Sequence, residues 1–477
     1  MLLTKSNTII KNFLIAACFA MLFNACKEQA TDGMIVMTQV ATNLVNSNDS
    51  SVKDILYHSK SRIVALNPNK SGESLMVLSK DFFSACAPNI SYDGKQMLFA
   101  AQKNQNDPWQ IWELNFDNLK YKQVTDSPQN AIDPTYLPDG TIAFSKTVSF
   151  NKLNTSLALF TCNLDGTNLK QIGFNPNAHV ASSVLMDGRI VAISQQMFPY
   201  QSDKNFMILR PDGTKEELFY QGLKGGNLQT RACETSDGKL VFIESDNRNQ
   251  VGGNVISINY NRPLHSRLNL TSNINGDFYA VSALNANKLL VSYRASKSER
   301  FALFEFNIED KTLEQVIYKD NDFDVLEVVY IQKHERPRKL PSEVNLDSKT
   351  GLLLCQDINF TAAQTTTDST STLNATKIEV LGIDKSLGIV SVEKDGSFYL
   401  KIIADTPFRI QTLDQNNRVV KGPGSWLYLR PSERRGCVGC HEDPEQVPEN
   451  RQPLSANNNP VLIPVLAEVL NNKVSLK

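Results

Sequence analysis

Short runs in which apolar and polar residues alternate recur at a fixed period from about residue 60 to residue 335. One unit is a tight turn followed by a strand-like run: SYDGKQMLFAA at 91–101, YLPDGTIAFSK at 136–146, LMDGRIVAIS at 185–194 and TSDGKLVFIES at 235–245. A fifth copy, LNANKLLVSYR at 284–294, has lost its Asp-Gly. The turn aspartates Asp93, Asp139, Asp187 and Asp237 are 46, 48 and 50 residues apart. Between these turns lies a hairpin-like unit, seen in QIWELNFDNLKYKQVT and NFMILRPDGTKEELFY among other copies. Asp-Gly supplies the positive backbone dihedrals of a tight turn, and period-two alternation on either side marks half-buried strands. Four short strands per repeat predict one propeller blade each.

The count predicts six blades. The hairpin unit RIVALNPNKSGESLMVLS at 62–79 precedes the first Asp-Gly turn and has no inner strands of its own. DVLEVVYIQ at 324–332 is an inner strand with no hairpin after it. Pairing the two closes the ring and removes its exposed edges. The repeats resemble TolB-type propellers. Their aspartates are read as turn formers rather than metal ligands.

After Glu335-Arg336-Pro337-Arg338-Lys339-Leu340-Pro341, which reads as a stiff linker, the pattern changes. Strand-like runs at 351–360, 377–383, 388–402 and 408–414 predict a small antiparallel β domain, with the low-complexity stretch 361–376 as a solvated loop. Asp368, within that loop, opens a short candidate glycosylation motif. The N-terminus is different again. Lys5 and Lys11 precede an apolar run, Phe13 to Phe23, too short to span a bilayer. Ala25-Cys26 then resembles a lipoprotein cleavage site, which predicts lipidation at Cys26; an ordinary secretory signal is the alternative. Residues 27–55 are polar and read as a tether.

Charge changes the picture only by exclusion. With 49 basic and 50 acidic residues, nucleic acid is not an expected partner. Cys86, Cys162, Cys233 and Cys355 sit in or beside apolar runs and read as buried single thiols, with disulfides open outside the cytoplasm.

The candidate chemistry lies in PSERRGCVGCHEDPEQ. Cys437-Val438-Gly439-Cys440-His441 has the spacing of a c-type haem attachment site. Two thiols three positions apart reach the two vinyl groups on one porphyrin edge, and the histidine that follows gives an imidazole nitrogen to the iron. A zinc site using the same three side chains plus a fourth ligand, or a redox dithiol, are the other readings. Trp426, Tyr428 and Phe408 are candidate walls for a haem. Arg430, Arg434 and Arg435 are candidate partners for its propionates. Glu442 and Asp443 follow directly and read as acidic loop residues.

The order R-P-R-x-L-P, G-x-L-L-C-x-D, V-E-x-D-G-S-F, A-D-T-P-F-R-I-Q-T-L-D and W-x-Y-L-R-P-S-E-R-R-G-C-V-G-C-H-E resembles the haem-bearing middle domain of the hydrazine synthase alpha subunit family over roughly residues 336 to 454. The resemblance implies one covalent haem c held by Cys437, Cys440 and His441, in a β-rich domain docked on a propeller. Larger members carry a further haem motif; none follows here within the 477 residues, so a relay along a haem pair is not expected.

The expected fold is all-β: a six-bladed β-propeller followed by a small β-rich domain carrying the haem motif. The expected organisation is a signal peptide at 1–25, a flexible tether at 26–55, the propeller at 56–335 and the haem domain at 336–477. The expected function is periplasmic or surface redox chemistry of small molecules by an exported lipoprotein. It would touch the membrane only through its lipid, with an unidentified redox partner and a small-molecule ligand at the haem. The alternative is a non-enzymatic propeller scaffold whose haem carries electrons or staples the fold. His441 is the only histidine after residue 341, and no methionine follows Met207. A sixth iron ligand would therefore come from His58, His179, His265 or His334, with Tyr428 or a lysine as less common choices, or the position stays open.

Overall fold

Strands of two to nine residues, separated by turns, account for nearly all the regular structure in a computed structural model that describes residues 31–41, 60–70, 74–149, 155–360, 374–439, 445 and 450–464. The only helix named among them is a 3-10 turn at Leu454–Asn457. The chain is all-β, as the alternation predicts.

Between residues 31 and 330 the described strands form six sheets, five of four strands and one of five. In four of them the strands follow in sequence order across the sheet. In Ser84–Ile90, Gln96–Gln102, Gln110–Asn115 and Lys120–Gln123, for instance, each strand pairs antiparallel with the next. The innermost strands of all six sheets line one central cavity of about 660 Å3. The Asp-Gly turns form where expected. Gly94, Gly140, Gly188 and Gly238 all have positive φ, between 73° and 92°. The aspartates cap their own turns: Asp93 Oδ1 accepts from Lys95 N at 3.1 Å, and Asp139 Oδ1 from Thr141 N at 3.0 Å. The turn that lost Asp-Gly replaces the cap with Asn285, whose Oδ1 accepts from Asn287 N at 2.9 Å.

The closing sheet corrects the tether at 26–55 and the direct pairing of 62–79 with 324–332. Asp324–Tyr330 does not meet Ser61–Leu66. Ile35–Val40 lies between them, antiparallel to both, with Val36 opposite Val329 on one side and Ala65 on the other. All six residues of that strand are buried. IVMTQV is one short run inside a polar stretch, too brief to show a period. Its partners lie some 290 residues away at one edge, so only closure of the ring reveals it.

The second domain is two four-stranded sheets rather than a simple antiparallel one. One has the order Arg434–Gly439, Thr350–Asp357, Phe398–Ile403, Val461–Ile463, and its two outer pairings are parallel. The other is Ser386–Ser391, Lys377–Leu381, Arg409–Leu413, Val419–Lys421. The predicted run 388–402 is split between the sheets by the turn at Gly396. Their facing sides share a core of Leu353, Ile378, Val380, Leu400 and Phe408, each fully buried. Asp368 lies outside the described residues.

The linker is not a spacer standing clear of the ring. His334 N donates to Tyr92 O at 3.0 Å and Arg338 N to Met186 O at 3.0 Å. Ser342 Oγ and Glu343 N both donate to Asp212 Oδ2, at 3.1 and 2.7 Å. The segment lies along the Asp-Gly turns, and Gly188 permits this: a Cβ there would sit 2.0 Å from Arg338 O.

Candidate functional site

Cys437 sits on Arg434–Gly439, an edge strand, in register with Cys355 of the neighbouring strand. The pair are environmentally unequal. Cys355 is buried in the domain core, whereas Cys437 is half-buried at the core's margin. Two residues on, Gly439 packs on the backbone of Phe360. A Cβ at 439 would meet Phe360 O at 2.1 Å, so the second residue between the two cysteines has to be glycine. Cys440, His441, Glu442 and Asp443 lie outside the described residues, as do Cys26 and His58. Both ends of the segment that holds Cys440 and His441 are nonetheless fixed. Beyond it, Glu445 Oε1 accepts from Leu264 N at 2.7 Å, and its Oε2 lies 3.5 Å from Arg262 Nε, both on a turn of the ring. Arg451 then ties the chain back to Asp395 at 2.7 Å and Gln356 O at 3.1 Å.

The strand bearing Cys437 starts from a buried carboxylate. Glu433 is 1% exposed. Its Oε1 accepts from Arg435 Nη2 at 2.7 Å, Arg435 Nε at 3.0 Å and Lys215 N of the ring at 2.8 Å; its Oε2 accepts from Arg430 N at 2.7 Å. Four of the six residues read from sequence as haem walls and propionate partners, Trp426, Tyr428, Arg430 and Arg435, are found in this docking surface. Tyr428 Oη donates toward Ile172 O and Gly213 O at 2.9 and 2.8 Å. The Trp426 indole donates to Phe198 O at 2.7 Å. Arg430 donates to Asp212 O at 3.0 Å and Asp405 at 2.7 Å, and its guanidinium lies over Phe174. Arg435 adds a bond to Glu216 O at 3.2 Å. Phe408 belongs to the second domain's core. Arg434 is exposed. Aromatic and arginine residues near a cysteine motif look alike in sequence whether they face a cofactor or a neighbouring domain.

Behind this surface lies a pair that sequence reading missed as a pair. His179 Nε2 is 3.1 Å from Glu216 Oε1, and both residues are buried. Burial by itself would raise the Glu216 carboxyl, but the His179 imidazole and the Arg435 guanidinium outweigh it and hold the group below its ordinary value. His179 is thereby committed to the ring's interior. His334 stacks near Tyr92, with ring centroids 5.2 Å apart, at the central cavity. His265 lies on the turn that holds Glu445. Of the four thiols expected to be buried, Cys86, Cys162 and Cys355 are, each in a different sheet, whereas Cys233 is half-buried.

The family model for the hydrazine synthase alpha subunit middle domain matches residues 325–442. The match starts in the last inner strand of the ring, not after the linker. The hydrazine synthase subunit alpha of Kuenenia stuttgartiensis is 21% identical over 80% of this chain, which spans 62% of that relative's length. The solved Kuenenia stuttgartiensis hydrazine synthase superposes with a TM-score of 0.76 at 18% identity, covering 90% of this chain and 72% of that one. TolB from Acinetobacter baumannii matches 62% of this chain and 66% of its own, at 12% identity and a TM-score of 0.43. Residues 325–442 thus resemble the hydrazine synthase alpha subunit middle domain, and the chain as a whole shares the fold of the solved hydrazine synthase, with a ring of six sheets in front of the matched segment.

Proposed function

We propose that this chain is an exported lipoprotein, anchored through Cys26, in which a closed six-bladed propeller carries one covalent haem c for redox chemistry of small molecules in the periplasm or at the cell surface. Cys437 and Cys440 would hold the haem by thioethers, and His441 would hold its iron. The observation that carries the reading is the position of Cys437. It is a half-buried thiol on an edge strand, two residues before a glycine that packs on the Phe360 backbone, while its register partner Cys355 is buried. A porphyrin edge needs thiols at a margin rather than in a core. A bound haem supplies an iron that changes oxidation state by one electron. The chain supplies the rest: Glu433 before the motif and Glu445 after it each accept a hydrogen bond from a backbone amide of the ring. The relative is named as a subunit, which favours a protein partner here as well.

Expression with a haem-maturation system should give protein that keeps a haem stain on a denaturing gel. The Cys437→Ser, Cys440→Ser variant should lose it. Near-stoichiometric zinc with no stain would overturn the reading. Rapid carbon monoxide binding by the ferrous protein would favour an open iron and catalysis. A purely low-spin spectrum without carbon monoxide binding would favour the electron carrier.

A further inference from the structure

The central cavity holds an ordered set of side chains that the haem reading does not use. Six positions before each turn aspartate stand Ala87, Asp133, Ala181 and Arg231; Ala280 and Glu327 follow at the same interval, 49 and 47 residues further on. All six line the cavity. Alanine alternates with a charged residue around the whole ring. The three alanines leave room at the level where the three charges converge.

The backbone is shaped for this. The inner strands carry register shifts between Cys86 and Asn89, Ile132 and Thr135, and Val180 and Ser183. Within them Ala87, Asp133 and Ala181 take φ of 58°, 58° and 54°, a left-handed conformation that non-glycine residues adopt at a cost. Bulges of this kind re-aim a side chain. The same bulge in three successive repeats is a built feature of the cavity wall.

The charges are unevenly satisfied. Asp133 Oδ1 accepts from Arg231 Nε at 2.9 Å and from its Nη2, and Asp133 Oδ2 accepts from Ser182 N at 3.0 Å. Glu327 Oε2 accepts from Thr38 Oγ1 and Ala87 N, both at 2.7 Å. Burial pushes the Glu327 carboxyl above its ordinary value, toward its neutral form. Two buried groups are left over: Arg231 Nη1 and Thr230 Oγ1, adjacent in sequence, both in cavity-lining residues and both without a protein partner. A guanidinium anchored by one carboxylate with a donor to spare recognises acceptor oxygens. Ile132, Tyr136, Tyr279 and Val281 give the surrounding wall an apolar character.

We propose that the propeller cavity is a binding site for a small organic carboxylate with an apolar body, whose oxygens are taken by Arg231 and Thr230 while Asp133 fixes the guanidinium. The cavity also reaches His334 and Pro337 of the linker, so an occupant would lie against the segment that joins the two domains.

Calorimetric titration of the full chain with phenylacetate, phenylacetamide and phenethylamine tests this without any mutation. Phenylacetate should bind, and the amide and amine should bind at least about tenfold more weakly, the loss of one charge-assisted contact. Absence of phenylacetate binding, equal binding of the amide, or tighter binding of the amine would each overturn the proposal. Asp133→Asn with Arg231→Gln removes the charge pair together and should abolish the preference for the acid. If circular dichroism shows that variant unfolded, Arg231→Lys, which keeps the charge but loses the fork, should weaken phenylacetate binding. Wild-type affinity in whichever of these variants folds would overturn the assignment.

Discussion

Glu433→Gln is the substitution that best tests how the strand bearing Cys437 is held. Glutamine keeps the shape and one acceptor oxygen, but it removes the charge that compensates Arg435. Burial decides the size of the effect. The side chains of Arg435 and Glu433 are 11% and 0% exposed, against 75% and 8% for the Arg418–Asp414 pair. Exposed pairs contribute about 0–1 kcal/mol, whereas removing one partner of a buried pair costs about 3–5 kcal/mol. Glu433 also accepts Lys215 N across the interface, so the loss falls on docking and not only on the second domain. Hydrogen exchange of peptides spanning 210–216 and 430–436 reads the opening of this surface directly. A loss of about 3 kcal/mol corresponds to exchange faster by about a hundredfold. Adding Arg435→Met removes the stranded cation and should restore most of the protection, as replacement of whole buried pairs by apolar groups does. A single variant that changes exchange by less than about threefold would refute the account of Glu433 as the docking centre. So would a double variant as unprotected as the single one.

Met37→Ala, at a fully buried position of the closing strand, should cost about 2–5 kcal/mol, and deleting 31–41 should abolish the ring's cooperative thermal transition; a deletion that melts like the intact chain would refute closure through that strand. Trp426→Phe should lose the indole bond to Phe198 O, worth about 1 kcal/mol, seen as faster exchange near 198 with the second domain's own core unchanged. Glu216 and Asp212 both sit below their ordinary values of 4.5 and 3.8, so the stability they contribute is present above those values and lost as pH falls through the folded ones; interface exchange should quicken on acidification below about pH 4.5 and not between pH 6 and 8. Cys26→Ala should release the protein from the membrane fraction, and retention after a high-salt wash would count against the lipid anchor.

The parts of the fold legible in the sequence are those with a local cause. Asp-Gly turns at a repeating interval and period-two alternation mark strands wherever chain neighbours pair, and four of the six ring sheets are built that way. What stayed hidden depends on partners distant in sequence. Ile35–Val40 shows no repeat and becomes a strand only because two edges need it. The strand Arg434–Gly439 reads as a motif with flanking arginines, because its pairing with Thr350–Asp357 is parallel and spans some 80 residues. Asp133, Arg231 and Glu327 left a signal that was there to find. They are charged residues at one repeat position whose counterparts in the other copies are alanine.

The docking surface also sets the position of the Cys437-to-His441 motif. Trp426, Tyr428, Arg430, Glu433 and Arg435 all reach the ring before the chain arrives at Cys437, and Glu445 reaches it again soon after. The chain is therefore tied to the ring on both sides of the Cys437-to-His441 motif. The linker, bonded along the Asp-Gly turns, does not serve as a free hinge between the two domains. A small domain of two four-stranded sheets gains from this arrangement, since four of those docking groups are themselves buried and need the ring's backbone carbonyls and amides as partners. The ring holds the position of the site, and the same ring encloses a separate cavity lined in part by Glu335 and Pro337 of the linker. An occupant of that cavity and a partner at the motif would meet one continuous, hydrogen-bonded body rather than two independent modules.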